Sequence, residues 1–337
     1  MRAPLSLFVV ALVGLAAGEV RFTYAAGEPP SWAYPSVPQG FQRAKDEKTY
    51  HLPGSQRAYT YDQIEDSFEP ADWYPTDHPR MPDPVGHGRR PNLHACAWCH
   101  LPNGQGHPQS SNLAGLPAAY IATQLNDFAL GNRTPAVGGP NTIMGIIARA
   151  MTPQDIKAAS EYFARLKMKP WIRVVEARMS PATRIIEGNL RMPLESGDME
   201  PIGQRIVEVP ETPARTRLYD SHTGFIAYVP GGSIRRGLKL VTTGGATTAR
   251  GKTVEGKTTE CTKCHGMTLR GMPAQPDGTP MTPPLAGRSP TYMFRQLHDI
   301  QKQTRRGANI ALMWPVVAQL TEGDMIDIAA YLASRAP

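Results

Sequence analysis

Two segments of the chain, one in each half, repeat the same order of apolar and polar residues. In residues 153–164 and 322–333, apolar side chains recur every three or four positions, which is typical of an amphipathic helix. A threonine precedes each segment, Thr152 in the first and Thr321 in the second. A threonine hydroxyl at this position caps the free backbone N–H groups of a helix. The pattern therefore predicts two capped helices, and residues 233–241 are predicted to form a third.

The rest of the chain has a different pattern. Residues 27–85 are rich in proline, aromatic residues and aspartate, and only residues 60–68 read as a helix there, with Thr60 or Asp62 near its start. Residues 170–231 alternate apolar and polar positions, and prolines at 201, 210 and 230 bound the apolar runs. This alternation predicts short strands.

The similarity between the two halves extends beyond the helices. Leu is followed by Tyr after seven residues and by Gln after four more, in both halves. A Met then precedes the capped helix by the same number of residues. The equivalent pairs are Leu113 and Leu285, Tyr120 and Tyr292, Gln124 and Gln296, Met144 and Met313, and Thr152 and Thr321. The chain is therefore predicted to contain two copies of one fold.

Each copy begins with a pair of cysteines followed by a histidine. The first motif contains Cys96, Cys99 and His100, and the second contains Cys261, Cys264 and His265. This C-x-x-C-H spacing is the signature of covalent c-type haem attachment. One helical turn presents two thiols to the vinyl groups of a porphyrin, and the next residue directs an imidazole at the iron.

Four cysteines can also serve other purposes in a protein. Two disulfides, a four-sulfur zinc site or a redox-active C-x-x-C pair would each use the same residues. None of them explains why a histidine directly follows the second cysteine in both motifs. We therefore expect two covalently attached haem c groups as cofactors.

The order of these residues resembles the class I cytochrome c fold, and their duplication resembles the two-haem bacterial periplasmic cytochromes c. The resemblance covers roughly residues 86–169 and 232–337. It implies that each iron is bound by the motif histidine and by a downstream methionine. The implied iron ligands are His100 and Met144 for the first haem, and His265 and Met313 for the second. The methionines that compete for this role are Met151, Met168, Met281 and Met293.

The resemblance also implies a backbone carbonyl that orients the motif histidine, two residues before the Leu-Ala-Gly sequence. Pro283 stands at this position in the second half, whereas Ser111 stands there in the first. The support of the first histidine is therefore the less regular of the two.

The expected fold class is mainly α, with two class I cytochrome c-like helical domains joined by an irregular, partly β connector. The expected divisions are a signal peptide (1–26), an acidic, aromatic-rich N-terminal arm (27–85), the first cytochrome c domain (86–169), the connector (170–231) and the second cytochrome c domain (232–337). The signal peptide follows from Arg2, a short apolar run and small residues near Ala17 and Ala26. It predicts export to a bacterial periplasm, with membrane association only if the segment stays uncleaved.

Charge narrows the choice of partners. The chain has 36 basic and 29 acidic residues and a net charge of +7. It has no dense Lys/Arg run of the kind that binds a phosphate backbone, so we do not expect nucleic acid as a partner. The arm is acidic, and we expect it to lie across the basic haem domains or to be partly disordered. Arg305 and Arg306 predict a basic cluster in the second haem domain, which would favour redox partners with an acidic docking surface.

Two classes of function remain open from the sequence. The first is a periplasmic dihaem cytochrome that carries electrons between a dehydrogenase and a downstream acceptor or oxidase, or that serves as the electron-accepting subunit of a dehydrogenase complex. The second is a haem enzyme, such as a dihaem peroxidase or a sulfur-compound dehydrogenase. An enzyme needs an exchangeable position on one iron, and two methionine ligands argue against it. We therefore expect a carrier without catalytic residues.

Overall fold

The computed structural model describes residues 28–42, 46–139, 142–249, 252–307 and 309–337. The predicted signal peptide, residues 1–26, lies outside these ranges. Within them, every helix is too short or too polar to cross a membrane.

The first haem domain is a small bundle of helices. Its elements are α3 (Cys96–His100), α4 (Ala118–Ala129), α5 (Ile143–Ala150) and α6 (Pro153–Arg165). Helix α6 begins as predicted, because the hydroxyl of Thr152 accepts a hydrogen bond from the backbone N–H of Asp155 while the Asp155 carboxylate accepts one from Thr152. Its apolar face carries Tyr162 and Phe163 into the core against α4. A single-turn helix, α2 (Asp83–Gly86), packs against the other side of α6.

The second haem domain repeats this bundle and adds a long first helix. Its elements are α8 (Ser233–Thr243), β10 (Thr247–Ala249), β11 (Lys252–Val254), α9 (Cys261–His265), α10 (Pro290–Gln301), a 3-10 turn (Ile310–Met313), α11 (Trp314–Val317) and α12 (Glu322–Ala333). Strands β10 and β11 form an antiparallel hairpin. Thr321 caps α12 in the same way as Thr152 caps α6.

Helices α8 and α12 cross at very close range. A Cβ atom on Gly237 would lie 1.9 Å from the carbonyl oxygen of Asp327, so only glycine permits this approach. Beside it, the Arg236 guanidinium binds the Asp327 carboxylate through two hydrogen bonds of 2.7 and 2.9 Å. The predicted helix over residues 233–241 is thus present and is anchored by a charged pair at the crossing.

The connector contains the short strands that the proline positions predict. Its elements are β3 (Ile172–Ala177), β4 (Met179–Pro181), β5 (Thr183–Ile185), a 3-10 turn (Glu187–Asn189), β6 (Arg191–Pro193), β7 (Met199–Pro201), β8 (Val207–Pro210), α7 (Pro213–Thr216) and β9 (Phe225–Pro230). Strand β9 is the centre of a three-stranded sheet, parallel to β3 and antiparallel to β8. Strands β4 and β7, and β5 and β6, form two further antiparallel pairs.

A buried carboxylate ties the connector to the second haem domain. Glu208 on β8 accepts a hydrogen bond of 2.7 Å from the Ser289 hydroxyl and one of 3.0 Å from the backbone N–H of Thr291. Both donors lie at the N-terminus of α10, where a negative charge is favourable. The connector is therefore docked on α10 and does not behave as a free linker.

The arm contains β1 (Thr49–His51), β2 (Ala58–Thr60), α1 (Tyr61–Ile64) and the helix α2 already described. Helix α1 has the predicted cap at Thr60, but it ends at Ile64 and not at residue 68. The expectation of a single helix in the arm was also wrong, because α2 is a second one.

Among the described residues, the arm contacts the second haem domain through aromatic side chains and through the Ala33 carbonyl, which accepts a hydrogen bond of 3.0 Å from Arg295. Trp32 packs on Phe294 with ring centroids 4.6 Å apart. The Tyr34 hydroxyl donates to Asp299 at 2.6 Å and lies 2.9 Å from Nδ1 of His298. The described residues 28–42 therefore lie against the second haem domain, which agrees with the expectation that the arm lies across the haem domains.

Candidate haem sites

Each C-x-x-C-H motif forms a single helical turn, α3 in the first domain and α9 in the second. Residues three and four positions apart lie on the same side of a helix. The two cysteines and the histidine of each motif therefore share one face. His100 and His265 are buried at that face.

Each motif histidine is oriented by the predicted backbone carbonyl. Nδ1 of His100 donates to the carbonyl oxygen of Ser111 at 2.8 Å, and Nδ1 of His265 donates to that of Pro283 at 2.9 Å. The expectation of a less regular support in the first domain was wrong, because the acceptor is a backbone oxygen that serine supplies as well as proline. Burial lowers the pKa of both imidazoles, which favours the neutral form with Nε2 free to bind a metal.

The cysteines lie in surroundings that disfavour a thiolate. Burial raises the pKa of Cys96 and Cys99 to about 12 and that of Cys261 to about 11. All four cysteines are unpaired, and the described residues contain no group of three or more His, Cys, Asp or Glu placed to hold a metal ion. The described residues therefore do not provide the four-sulfur site that the zinc alternative requires.

A cavity of about 250 Å³ lies against the first motif. Cys96, Cys99 and His100 form one part of its wall, and Met144 lines it as well. Met144 lies in the first turn of α5, whose N-cap is the Thr142 hydroxyl. The competing Met151 also lines this cavity, so position alone does not choose between the two methionines.

A cavity of about 340 Å³ lies against the second motif. Cys261, Cys264 and His265 line it, together with Met313 at the end of the 3-10 turn. The competing Met281 and Met293 line it too. Met168 contributes to neither cavity lining, although it packs beside the first domain's core.

The two cavities meet where the domains pack together. Leu116, Tyr120, Gln124, Tyr292 and Gln296 line both of them. Four of these are the equivalent Tyr and Gln residues of the repeat, so the two domains face each other through the same surface. A backbone hydrogen bond also joins the two domains, because the Thr134 N–H donates to the Thr304 carbonyl at 2.9 Å.

Two arginines join the domains across this surface in a reciprocal arrangement, which we call the arginine clasp (Arg133 and Arg305 with their partners). Arg133 donates to Gln124 in its own domain at 2.8 Å, and to Tyr292 and Gln296 in the other domain at 3.0 and 2.9 Å.

Arg305 mirrors these contacts from the second domain. It donates to Gln296 in its own domain, and to Tyr120 and Gln124 in the first domain, each at 2.9 Å. This role is not predicted from the sequence, although Arg133 and Arg305 each stand six residues after an equivalent Asp, at positions 127 and 299. That shared spacing is the signal that identifies them.

The position of Arg305 in the clasp contradicts the prediction of a basic surface cluster. Arg305 is only 6% exposed, because it lies between the two domains. Arg306 is exposed, and its backbone N–H donates to the Asn132 carbonyl at 2.6 Å. The pair therefore does not form a surface cluster for a partner.

The cavities also fit an anionic porphyrin. Arg288 and Arg305 line the second cavity, and Arg133 and Arg295 line the first. Buried guanidinium groups require an anion or several acceptors, and Nε of Arg305 is buried without a hydrogen-bond partner. Haem carries two propionate groups, which supply negative charge and acceptor oxygens.

Comparison with known proteins supports the same cofactor. The sequence profile of the family described as Cytochrome c matches residues 92–167 and 248–336. Over 81 residues the chain is 36% identical to cytochrome c-554(548) of Halomonas halodenitrificans, a match that covers 24% of this chain and 90% of that protein. The chain belongs to the cytochrome c family. It is a dihaem cytochrome c, and its two cytochrome c domains bind covalently attached haem c.

Other matches are more restricted. The cytochrome is 42% identical over 79 residues to the thiosulfate dehydrogenase electron acceptor of Stutzerimonas stutzeri, which covers 23% of this chain and 35% of that protein. The matched part thus spans about a third of that relative's length. The crystal structure of reduced cytochrome c4 from Pseudomonas stutzeri is similar at 20% identity and a TM-score of 0.44, covering 71% of this chain and 93% of that one. The helices of the two domains and the two regions matched by the family confirm the mainly α fold, and the connector is partly β as expected.

Proposed function

We propose that this cytochrome transfers single electrons between redox proteins and passes them between its two domains. The observation that carries the proposal is the shared wall of the two cavities at Tyr120, Gln124, Tyr292 and Gln296. Groups bound in cavities that share a wall lie close enough for an electron to pass between them within one chain. The cofactor supplies the redox chemistry, and the protein supplies distance, burial and ligands.

We propose that His100 and Met144 would hold the first haem iron, and that His265 and Met313 would hold the second. The thioether bonds would form at Cys96 and Cys99 in the first domain, and at Cys261 and Cys264 in the second. The chain's own residues keep each imidazole neutral and fixed by the carbonyl bond at Nδ1. Binding by a histidine and a methionine would leave the iron without an exchangeable position and would raise its reduction potential relative to binding by two histidines.

Carbon monoxide binding tests the ligands and separates the carrier from a haem enzyme. The reduced wild-type protein should not bind carbon monoxide, because each iron has two protein ligands. Met144→Ala and Met313→Ala should each open one iron to it. Met151→Ala and Met281→Ala are matched controls from the same cavities and should stay closed.

The control variants also decide between the competing methionines. Carbon monoxide binding by Met151→Ala but not by Met144→Ala would transfer the ligand role to Met151. Binding by the wild-type protein would favour the enzyme alternative.

We also propose a dehydrogenase as the electron donor, because a relative bears the name of an electron acceptor for thiosulfate dehydrogenase. The donor or acceptor would be a redox protein with acidic residues on its docking surface. The N-terminal residues 1–26 support a location in the periplasm. Co-purification of the cytochrome with a periplasmic dehydrogenase, and reduction of its haems by that enzyme with substrate, would test this proposal.

A further inference from the structure

A carboxylate of the second haem domain lines the cavity of the first. Asp299 lies on α10, yet it forms part of the wall of the cavity that adjoins His100. Its residue is only 5% exposed, and it supplies the one carboxylate that the described residues place on this wall. A charge at this position is shielded from water, so its field in the cavity is weakly screened.

The arm and the first domain both donate hydrogen bonds to this carboxylate. The Tyr34 hydroxyl donates to Oδ1 of Asp299 at 2.6 Å, and the backbone N–H of Ala136 donates to the same oxygen at 2.9 Å. Nδ1 of His298 lies 2.9 Å from the Tyr34 oxygen, and it is the donor in this pair because the Tyr34 hydrogen is directed at Asp299. Both bonds to the carboxylate end on Oδ1. A proton on Oδ2 therefore displaces neither donor.

Opposing effects act on the proton affinity of Asp299. Burial is the largest of them and raises the pKa of the carboxyl group. The hydrogen bonds from Tyr34 and Ala136 lower the pKa, as do the positive charges of Arg295 and Arg133. The net direction is upward, so this carboxyl group titrates at a higher pH than an exposed aspartate. The other charged or titratable groups around it are His298 and Lys302 at the end of the same helix, Arg305 of the clasp, and Glu322 of α12, which acts on Tyr34.

The repeat offers a direct comparison, because Asp127 stands at the equivalent position of the first domain. Asp127 is equally buried, but it lines neither cavity. The carboxylate that the described residues place on the wall of the second cavity belongs to Glu260, which is partly exposed and lies 3.2 Å from Lys263. Solvent and this lysine weaken the field of Glu260. Within the described residues, a buried carboxylate therefore adjoins the first cavity and not the second.

We propose that Asp299 binds a proton when the first haem is reduced and releases it when that haem is oxidised. The inference rests on the proposed electron-transfer function and adds a proton to it. The ionised carboxylate stabilises the additional positive charge of the oxidised haem. As one electron enters from a redox partner, Oδ2 of Asp299 takes up one proton from water, and the net charge of the site stays constant. The same proton returns to water when the electron leaves.

Tyr34 is a positioning residue in this proposal. Its hydroxyl stabilises the ionised form of Asp299, and it thereby sets the pH range in which the proton is taken up. The Tyr34→Phe variant loses this hydrogen bond but keeps the aromatic ring. The range should then move to higher pH by about one unit, which is a tenfold increase in the proton affinity of Asp299.

The reduction potential of each haem, measured between pH 4 and 9 on the haem-loaded protein, tests the proposal. Carbon monoxide identifies the step of the first haem, because it raises that step in the first-domain methionine variant that binds it. In the wild-type protein this potential should fall as the pH rises. The limiting slope is a tenfold change in the reduction equilibrium per pH unit, about 59 mV for one electron. Asp299→Asn should remove most of this dependence, whereas the matched control Asp127→Asn should keep it.

A first-haem potential that does not depend on pH in the wild-type protein would overturn the proposal. Persistence of the dependence in Asp299→Asn would also overturn it, because the proton would then lie on another group, such as a haem propionate. Equal losses in Asp299→Asn and Asp127→Asn would indicate a purely structural effect at the domain contact.

Tyr34→Phe provides an independent measurement if Asp299→Asn does not fold with haem. An unchanged pH range in Tyr34→Phe would exclude Asp299 as the titrating group, whereas the expected upward shift would support it. Carbon monoxide binding by the wild-type protein would instead contradict the proposed function, so the two failures can be told apart.

Discussion

The arginine clasp makes a strong prediction about how the two haem domains are held together. The perturbation is replacement of Arg133 and Arg305 by alanine, singly and together. In each single variant, the remaining arginine still donates to both Gln124 and Gln296. In the double variant, both glutamine oxygens lose both of their guanidinium donors. The two substitutions should therefore act more than additively on stability.

The magnitude follows from the hydrogen bonds that are lost. Each single variant loses three bonds from a charged donor, but it also removes the cost of burying a guanidinium group. We expect each to lower the free energy of unfolding by about 2–3 kcal/mol. The double variant additionally leaves two amide oxygens unsatisfied, and Gln124 is buried. This should add about 2 kcal/mol beyond the sum of the single effects.

The measurement is urea unfolding of the haem-loaded protein, followed by both tryptophan fluorescence and haem absorbance. Coincident transitions for the wild-type protein justify a single free energy of unfolding. Arg306→Ala is the control, because Arg306 contributes only its backbone N–H to the domain contact and should change little. Additivity of the Arg133 and Arg305 effects within about 0.5 kcal/mol would refute the reciprocal arrangement.

Three further outcomes are expected. The intact mass should exceed that of the polypeptide by two haem groups, and one added haem would show that one motif is unused. Potentiometric titration should resolve two one-electron steps, because the loops that follow the two motifs (residues 101–110 and 266–282) differ in burial; coincident potentials would contradict different tuning. Asp155→Asn should destabilise the first domain by about 1 kcal/mol at pH 6, because the half-exposed Arg89 lowers the pKa of Asp155 to about 2. A carboxyl group with a lowered pKa stabilises the fold above about pH 4. The difference in unfolding free energy between the wild-type protein and Asp155→Asn should therefore shrink as the pH falls from 4 towards 2.

Local chemistry explains the features that were predictable from the sequence. The helices that follow Thr152 and Thr321 begin there because the threonine hydroxyl bonds a backbone N–H only three residues away. The strands that end at Pro210 and Pro230 end because of the proline itself. The C-x-x-C-H turns are equally local. Such features involve few residues at fixed spacing, so the order of residue types in the sequence is enough to recognise them.

The expectations that were wrong concern contacts between distant residues. Ser111 supports His100 as well as Pro283 supports His265, because the fold uses the backbone oxygen and not the side chain. Arg305 looked like a surface charge in the chain, yet docking of the two domains buries it. The acidic composition of the arm likewise did not indicate that Trp32 and Tyr34 would make its contacts to the second domain.

The sequence by itself therefore determined the repeated haem-binding motifs, the capped helices, the proline-bounded strands and the membership of a mainly α class. Only the tertiary structure decided that the two cavities share a wall, that two arginines clasp the domains, and that residues 218–225 of the connector lie on the loop after the first motif. The physical reason is how far apart in the chain the interacting residues lie. Caps, turns and motif spacings depend on neighbours within a few residues, whereas docking depends on shape and charge brought together from residues more than a hundred positions apart.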